Sequence, residues 1–270
     1  MAKKATTTTS KINRSAQSLR NWNLSAAALH LIQGVVLLFI GKSITWPVTT
    51  NYLTANALAS AAAGHTVVSP ASHTLFNVNL AYLVAIFFFV AAIMHVVVAT
   101  VYRPRYEADL KRGLNRVRWI EYGVSGGLML IAIGLLSGVY DFSSLLMIFV
   151  LTLVMSLMGL MMEIRNQERQ KPNWLSFWTG SLAGIIPWLV LAIYLWGTNI
   201  YGSGGVPTYV YFIFASLLAL FVAFAVNMYL QSRRIGKWAD YLYAERIYVV
   251  LGAVTKAALA WQIYAGALRR

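Results

Sequence analysis

Seven stretches of this chain are each long and apolar enough to cross a bilayer, and that pattern leaves few folds open to it. A helix rises 1.5 Å per residue, so about 20 apolar residues cover about 30 Å of hydrocarbon. The stretches run Trp22–Ile44, Thr74–Tyr102, Tyr106–Val139, Phe142–Met162, Trp174–Thr198, Thr208–Gln231 and Tyr241–Leu268. With 59% hydrophobic and 11% charged residues, the chain has lipid rather than water as its solvent. The expected fold is an all-α membrane protein, a bundle of seven transmembrane helices.

The formal charge of +14 is distributed unevenly. Lys3, Lys4, Lys11, Arg14 and Arg20 precede the first stretch, and Arg103, Arg105, Lys111, Arg112, Arg116 and Arg118 surround the turn between the second and third. Arg165, Arg169 and Lys171 follow the fourth, and Arg233, Arg234 and Lys237 follow the sixth. Seventeen basic residues therefore face one side, against Lys42, Arg269 and Arg270 on the other, while Arg246 and Lys256 fall within the last stretch. Basic loops stay in the cytoplasm, which predicts an N-terminus inside and a C-terminus outside the cell membrane. Residues 1–21 then form a cytoplasmic tail, with no apolar core of a cleavable signal before the first stretch.

The same sorting argues against nucleic acid as a partner, because no basic cluster sits on a soluble domain. With no cysteine, disulfides, thiolate metal sites and cysteine nucleophiles are excluded, and the four histidines form no local metal motif. Residues 1–270 read as one domain without repeats or a Pro/Gly/Ser-rich linker. The one long loop, 45–73, holds two β-prone segments, TWPVTTNYLT and GHTVVSP, on either side of an Ala-rich connector. It reads either as a short external β-hairpin or as an irregular loop.

Two ionisable residues lie deep in this apolar pattern. Lys256 is fifteen residues into the seventh stretch, and a lysine at mid-membrane costs about 2.5–3.5 kcal/mol unless it is paired, neutral or covalently changed. A buried amine of lowered pKa is suited to condensing with an aldehyde as a Schiff base. Once protonated, that base requires an anion. If the third helix starts just after Pro104, Glu121 is also fifteen residues in, at matching depth. Alternatively, Glu121 pairs locally with Arg118 or Ser125. Glu107, Asp109, Glu163, Glu168 and Asp240 lie at helix ends, Asp141 in an external turn, and Glu245 near the start of the seventh stretch beside Arg246, which makes all of them poorer counterions.

His30 and His95 fall in the cytoplasmic half of the first and second stretches. Gln33 shares a helix face with His30, and Asn23 and Asn115 extend the polar set toward the cytoplasm. These residues either bond one another as structural groups or form a hydrated cavity that accepts a proton transiently. A conjugated ligand also needs large apolar walls, for which Tyr122, Met155, Trp178, Phe214 and Phe221 are candidates, with Ser125 one turn from Glu121.

His30 with Gln33, TWPVTTNYLT, His95, RWIEYG at 118–123 and AVTKAALAW at 253–261 together resemble the heliorhodopsins, over nearly the whole chain. The resemblance implies a rhodopsin-like bundle with all-trans-retinal on Lys256, Glu121 as counterion, a homodimer and a cytoplasmic N-terminus. It also places His30 and His95 in a cytoplasmic polar cavity, and Tyr122, Met155 and Asn227 near the chromophore. One departure is Gly252, where the family often has a serine one turn before the lysine, and this leaves hydrogen bonding near the counterion open.

The expected activity is light sensing with a slow photocycle and a signalling partner in the cytoplasm, not enzyme catalysis. The alternatives are a light-driven ion transporter or channel, and a membrane transporter without retinal. Outward proton pumps carry carboxylates one turn and three turns beyond this counterion position; here Ser125 and Ala132 stand there, which favours sensing.

Overall fold

A computed structural model describes residues 2–167 and 171–269, with side chains from residue 17 onward. Glu168, Arg169 and Arg270 lie outside the described residues, as do the side chains of Lys3, Lys4, Lys11 and Arg14. The chain forms α1 (Ala2–Ile40), β1 (Thr45–Ala55), α2 (Ala57–Ala63), β2 (Val68–Asn79), α3 (Leu80–Ala99), α4 (Arg103–Lys111), α5 (Arg116–Leu136), α6 (Phe142–Asn166), α7 (Leu175–Tyr201), α8 (Thr208–Arg233) and α9 (Tyr241–Ile263). Seven of these are long and apolar enough to cross a membrane: α1 from Gln17, α3, α5, α6, α7, α8, and α9 with its continuation to Leu268. Their outer faces are apolar, as lipid requires, with Phe39, Ile93 and Leu182 all exposed.

Three boundaries differ from the sequence reading, each for a local reason. The expected N-terminal tail is helical from Ala2, continuous with the first span. The loop at 45–73 is an antiparallel hairpin, but β2 runs on to Asn79, so the second span starts at Leu80 rather than Thr74. Asn79 fixes that start, because its side chain accepts from the backbone N–H of Ala81 and Tyr82. The apolar stretch from Tyr106 is interrupted: Gly113 takes a positive φ of 69°, and Asn115 caps a new helix by accepting from Arg118 N at 3.0 Å. The third span therefore starts at Arg116, with α4 a separate helix ahead of it.

The hairpin is pinned over one end of the bundle. Thr49 N donates to Tyr140 O at 2.8 Å, and Asn51 Nδ2 to Asp141 Oδ1 at 3.3 Å. Asp141 also caps α6 through Ser144 N.

The two ends of the bundle differ in chemistry. Toward the hairpin the core is apolar, with Phe87, Phe88, Leu130, Ile133, Leu191, Ile213, Leu259 and Ile263 buried together. Toward the opposite, basic end the core holds Asn23, Asn115, Arg118, Glu163 and Glu245, all buried. Where α5 meets α6 the helices approach closely at Gly159, since a Cβ there would lie 2.4 Å from the Trp119 ring. A similar contact sets α7 on α6, where a Cβ on Gly184 would meet Met155 Sδ at 2.3 Å.

Candidate functional site

Where the apolar and polar halves of the core meet, the Nζ of Lys256 lies 3.0 Å from Oε1 of Glu121, with both side chains almost wholly buried. The face of the Tyr122 ring is 5.4 Å from the same Nζ, within range of a cation–π attraction. Arg118, the local alternative partner for Glu121, is committed elsewhere. Its guanidinium pairs with both Glu163 and Glu245 and packs against the rings of Trp119 and Tyr248. Ser125, the other local alternative, has a buried hydroxyl without a hydrogen-bond partner among the described residues.

Equal depth along two helices is not what brings Lys256 to Glu121. Because α5 starts at Arg116, Glu121 is five residues in, against fifteen for Lys256 in α9. Arg118 meets Glu245, and the Tyr122 hydroxyl donates to Tyr248 O at 2.6 Å, so Glu121 is level with the neighbourhood of Tyr248. Side chains on a helix point back toward its N-terminus, and the long lysine spans the remaining offset.

Lys256 projects into a cavity of about 130 Å³ between α5, α6, α7, α8 and α9. Of the residues expected at its walls, Tyr122, Ser125, Met155, Phe221 and Gly252 line it. Three do not. Trp178 is 66% exposed on the outer face of α7, and its neighbour Phe177, about 100° round the helix, lines the cavity instead. Phe214 packs edge-on against Trp188, nearer the hairpin end. Asn227 is buried toward the basic end, donating to Ala244 O at 3.3 Å and accepting from Trp238 Nε1 at 2.7 Å. The sequence reading missed Trp119, Gly126, Met129, Phe224, Met228 and Thr255, which complete the walls. Helical phase was the available signal, since Trp119, Tyr122, Gly126 and Met129 recur at three- and four-residue steps along one face of α5.

Gly252 has a local explanation. A Cβ there would meet the Tyr122 Oη at 3.2 Å and Cε1 at 3.3 Å, a tight fit that a serine could take only if the tyrosine ring gave way by a few tenths of an ångström. Two hydroxyls, of Ser125 and Thr255, are buried on the cavity wall without partners among the described residues.

A second, smaller cavity of about 30 Å³ lies on the basic side of Glu121, lined among others by Asn23, His95, Asn115, Arg118, Tyr122 and Glu245. His95 Nδ1 is 2.7 Å from Asn23 Oδ1, and Asn115 Nδ2 donates to Glu245 Oε1 at 2.6 Å. Tyr106 of α4 closes this set, its hydroxyl accepting from Asn23 Nδ2 at 3.3 Å. Burial, reinforced by the nearby Glu245, pushes that hydroxyl's pKa up and keeps it neutral. His30 stacks on His95 with ring centroids 5.6 Å apart, and neither of its ring nitrogens has a partner among the described residues. Gln33 does not join the set: its Oε1 accepts from Trp261 Nε1 at 3.0 Å, one turn nearer the hairpin end. The network around Arg118, with Glu163 and Glu245, was absent from the sequence reading, which set Glu163 at a helix end and Glu245 near the start of the seventh stretch as poorer counterions.

A family model described as heliorhodopsin matches residues 19–268 of the chain. No curated protein matches it. Among solved structures, the chain is similar to a light-driven proton pump from Leptosphaeria maculans, with 17% identity, a TM-score of 0.59, and coverage of 92% of this chain and 93% of that one. At that identity the likeness shows a shared fold.

Proposed function

The chain belongs to the heliorhodopsin family, and from that premise we propose that it is a light sensor whose all-trans-retinal is held on Lys256 with Glu121 as its counter-charge. It is a multi-pass membrane protein and a retinal protein. The observation that carries the site assignment is the buried Lys256–Glu121 pair at the wall of an otherwise apolar cavity. Bound retinal supplies absorption of visible light and a change of shape on excitation.

The residues of the chain do the rest. Lys256 is the attachment point, and Glu121 stabilises positive charge on its nitrogen in a place where water cannot. Tyr122, locked by its bond to Tyr248 O, adds a π face to that charge and fixes the side of the cavity next to Gly252. Met155, Phe177, Phe221 and Phe224 exclude water and grip a polyene. Glu121 lines the small polar cavity, so a proton leaving the Lys256 nitrogen passes by way of that carboxylate toward His95, whose ring Asn23 orients.

The likeness in fold to a light-driven proton pump makes transport the second reading. Sensing is favoured because the acids stand on one side of the pair. Toward the hairpin the core is filled by Phe87, Phe88, Leu130, Ile133, Leu259 and Ile263, and α5 presents Ser125 and Ala132 where a pump's carboxylates would stand. In this reading the N-terminus is cytoplasmic, the photocycle is slow, the chain pairs as a homodimer, and a partner in the cytoplasm reads the basic end. The test is an absorption spectrum of protein expressed with and without all-trans-retinal. A visible band that depends on retinal and bleaches with hydroxylamine is expected; its absence overturns the reading.

A further inference from the structure

At the basic end of the bundle, away from both cavities around Glu121, the chain encloses a polar groove of about 510 Å³. Five cations from three separate segments converge on it: Lys111 and Arg112 at the end of α4, Lys171 after α6, and Arg233 and Arg234 at the end of α8. Among the described residues none of the five is in an ion pair. Among the described residues the one acid on the groove wall, Glu163, is already committed to Arg118 and Trp119.

Two ordinary explanations for such charge fall short. Cations near helix C-termini offset the helix dipoles, but the ends of α4, α6 and α8 together supply only about −1.5 elementary charges, so about +3.5 of the five described charges remains. The loop charge that orients a membrane protein depends on how many cations a side carries and does not require that they face one cleft. Three features of the groove point to a ligand as well. Arg112 is oriented by a bond to Gln167 Oε1 at 3.2 Å, and the Arg233 guanidinium lies over the Trp174 ring at 5.1 Å. Arg234 holds a left-handed backbone at φ 54°, the only residue other than glycine to do so among those described. Glycine or asparagine usually ends a helix this way; here the residue is an arginine that lines the groove.

We propose that this groove is a binding site for a phosphate-bearing anion, supplied either by a soluble phosphate compound or by a lipid headgroup at the membrane surface. Guanidinium forks match phosphate oxygens two at a time, and uncompensated cations gain most from a ligand of more than one negative charge. The site stands apart from the photoreceptor reading, because binding there needs neither retinal nor light.

The test is calorimetric titration of inorganic pyrophosphate, in the dark and at low salt, into the full chain held in nanodiscs of phosphatidylcholine. Saturable binding at one site per chain is expected, weakened roughly tenfold or more by Arg112→Gln with Arg234→Gln, and weakened by added salt. Arg20→Gln, at the same end but outside the groove, should leave the affinity unchanged. Replacing part of the lipid with phosphatidylglycerol separates the two sources. A fall in pyrophosphate affinity seen in the native chain and not in the double variant assigns the site to a lipid phosphate. An unchanged affinity assigns it to a soluble one. Absence of saturable binding in phosphatidylcholine discs overturns the proposal, as does native affinity in a folded double variant or an equal loss in Arg20→Gln.

Discussion

The Nζ of Lys256 lies 3.0 Å from Glu121 Oε1, although Lys256 is fifteen residues into α9 and Glu121 only five residues into α5. The contact therefore depends on an extended side chain, and it positions the nitrogen at the cavity wall rather than at a helix interface.

Removing that nitrogen tests the attachment point. Lys256→Ala should abolish the visible band and leave a folded membrane protein with unchanged far-ultraviolet circular dichroism. Retention of the native visible spectrum would move retinal to another site.

Replacing the carboxylate tests the counter-charge. Glu121→Gln removes the anion that favours the protonated nitrogen, so the protonated form should be less stable. The sign follows from the charge: the protonated, visible form is lost as pH rises, and without the anion it is lost at lower pH. Spectra recorded across pH measure it directly, and an unaltered titration would assign the role to a different anion.

The pairing was legible in the sequence because only one lysine and one carboxylate lay far inside apolar stretches. The depth argument that linked them was not sound. It placed Glu121 fifteen residues into a helix that begins at Arg116, because the break at Gly113 and Asn115 lies in a polar run that reads equally as a helix end or a helix surface. The fold was legible in the hydropathy of the seven spans. Cavity walls were harder, since Phe177 and Trp178 are equally apolar and only helical phase against the neighbouring helices decides which faces inward. Least legible was the Arg118 network: three charges from three spans that each look like solvated ends converge only once the bundle closes.

That network should carry much of the stability of the basic end. Arg118→Gln leaves Glu163 and Glu245 buried without their shared cation, and breaking a buried pair in this way costs about 3–5 kcal/mol. Unfolding in detergent should shift accordingly. Adding Glu163→Gln and Glu245→Gln to the same chain should recover part of the loss by removing the stranded charges. A single variant as stable as the native chain would show that the network is solvated.

Orientation follows from the basic residues gathered at one end of the bundle, with the hairpin at the other. A tag at the N-terminus should be shielded in intact cells and one at the C-terminus accessible to an impermeant label. The opposite pattern would invert the assignment of both faces.

Whether light drives net transport is decided by what lies on either side of the Lys256–Glu121 pair. On the basic side, His95, whose Nδ1 is held by Asn23 Oδ1, shares the small cavity with Glu121 and is the base on that side, and His30 stacks against His95 with both ring nitrogens free of partners among the described residues. On the hairpin side, Ser125 is followed by Ala132, and the packed side chains of Phe87, Phe88, Ile133 and Leu259 offer no titratable group to complete a relay. A proton released by illumination should then move into the polar cavity and return, with no net displacement. Illuminated cell suspensions should show no sustained pH change, with or without a protonophore. A His30→Ala, His95→Ala double variant should alter the decay of the photoproduct, because these two stacked rings are the nitrogen bases beside the small cavity that Glu121 lines. A steady photocurrent would replace sensing with transport, and unchanged decay kinetics in the double variant would remove the histidines from the route and leave the attachment of retinal untouched.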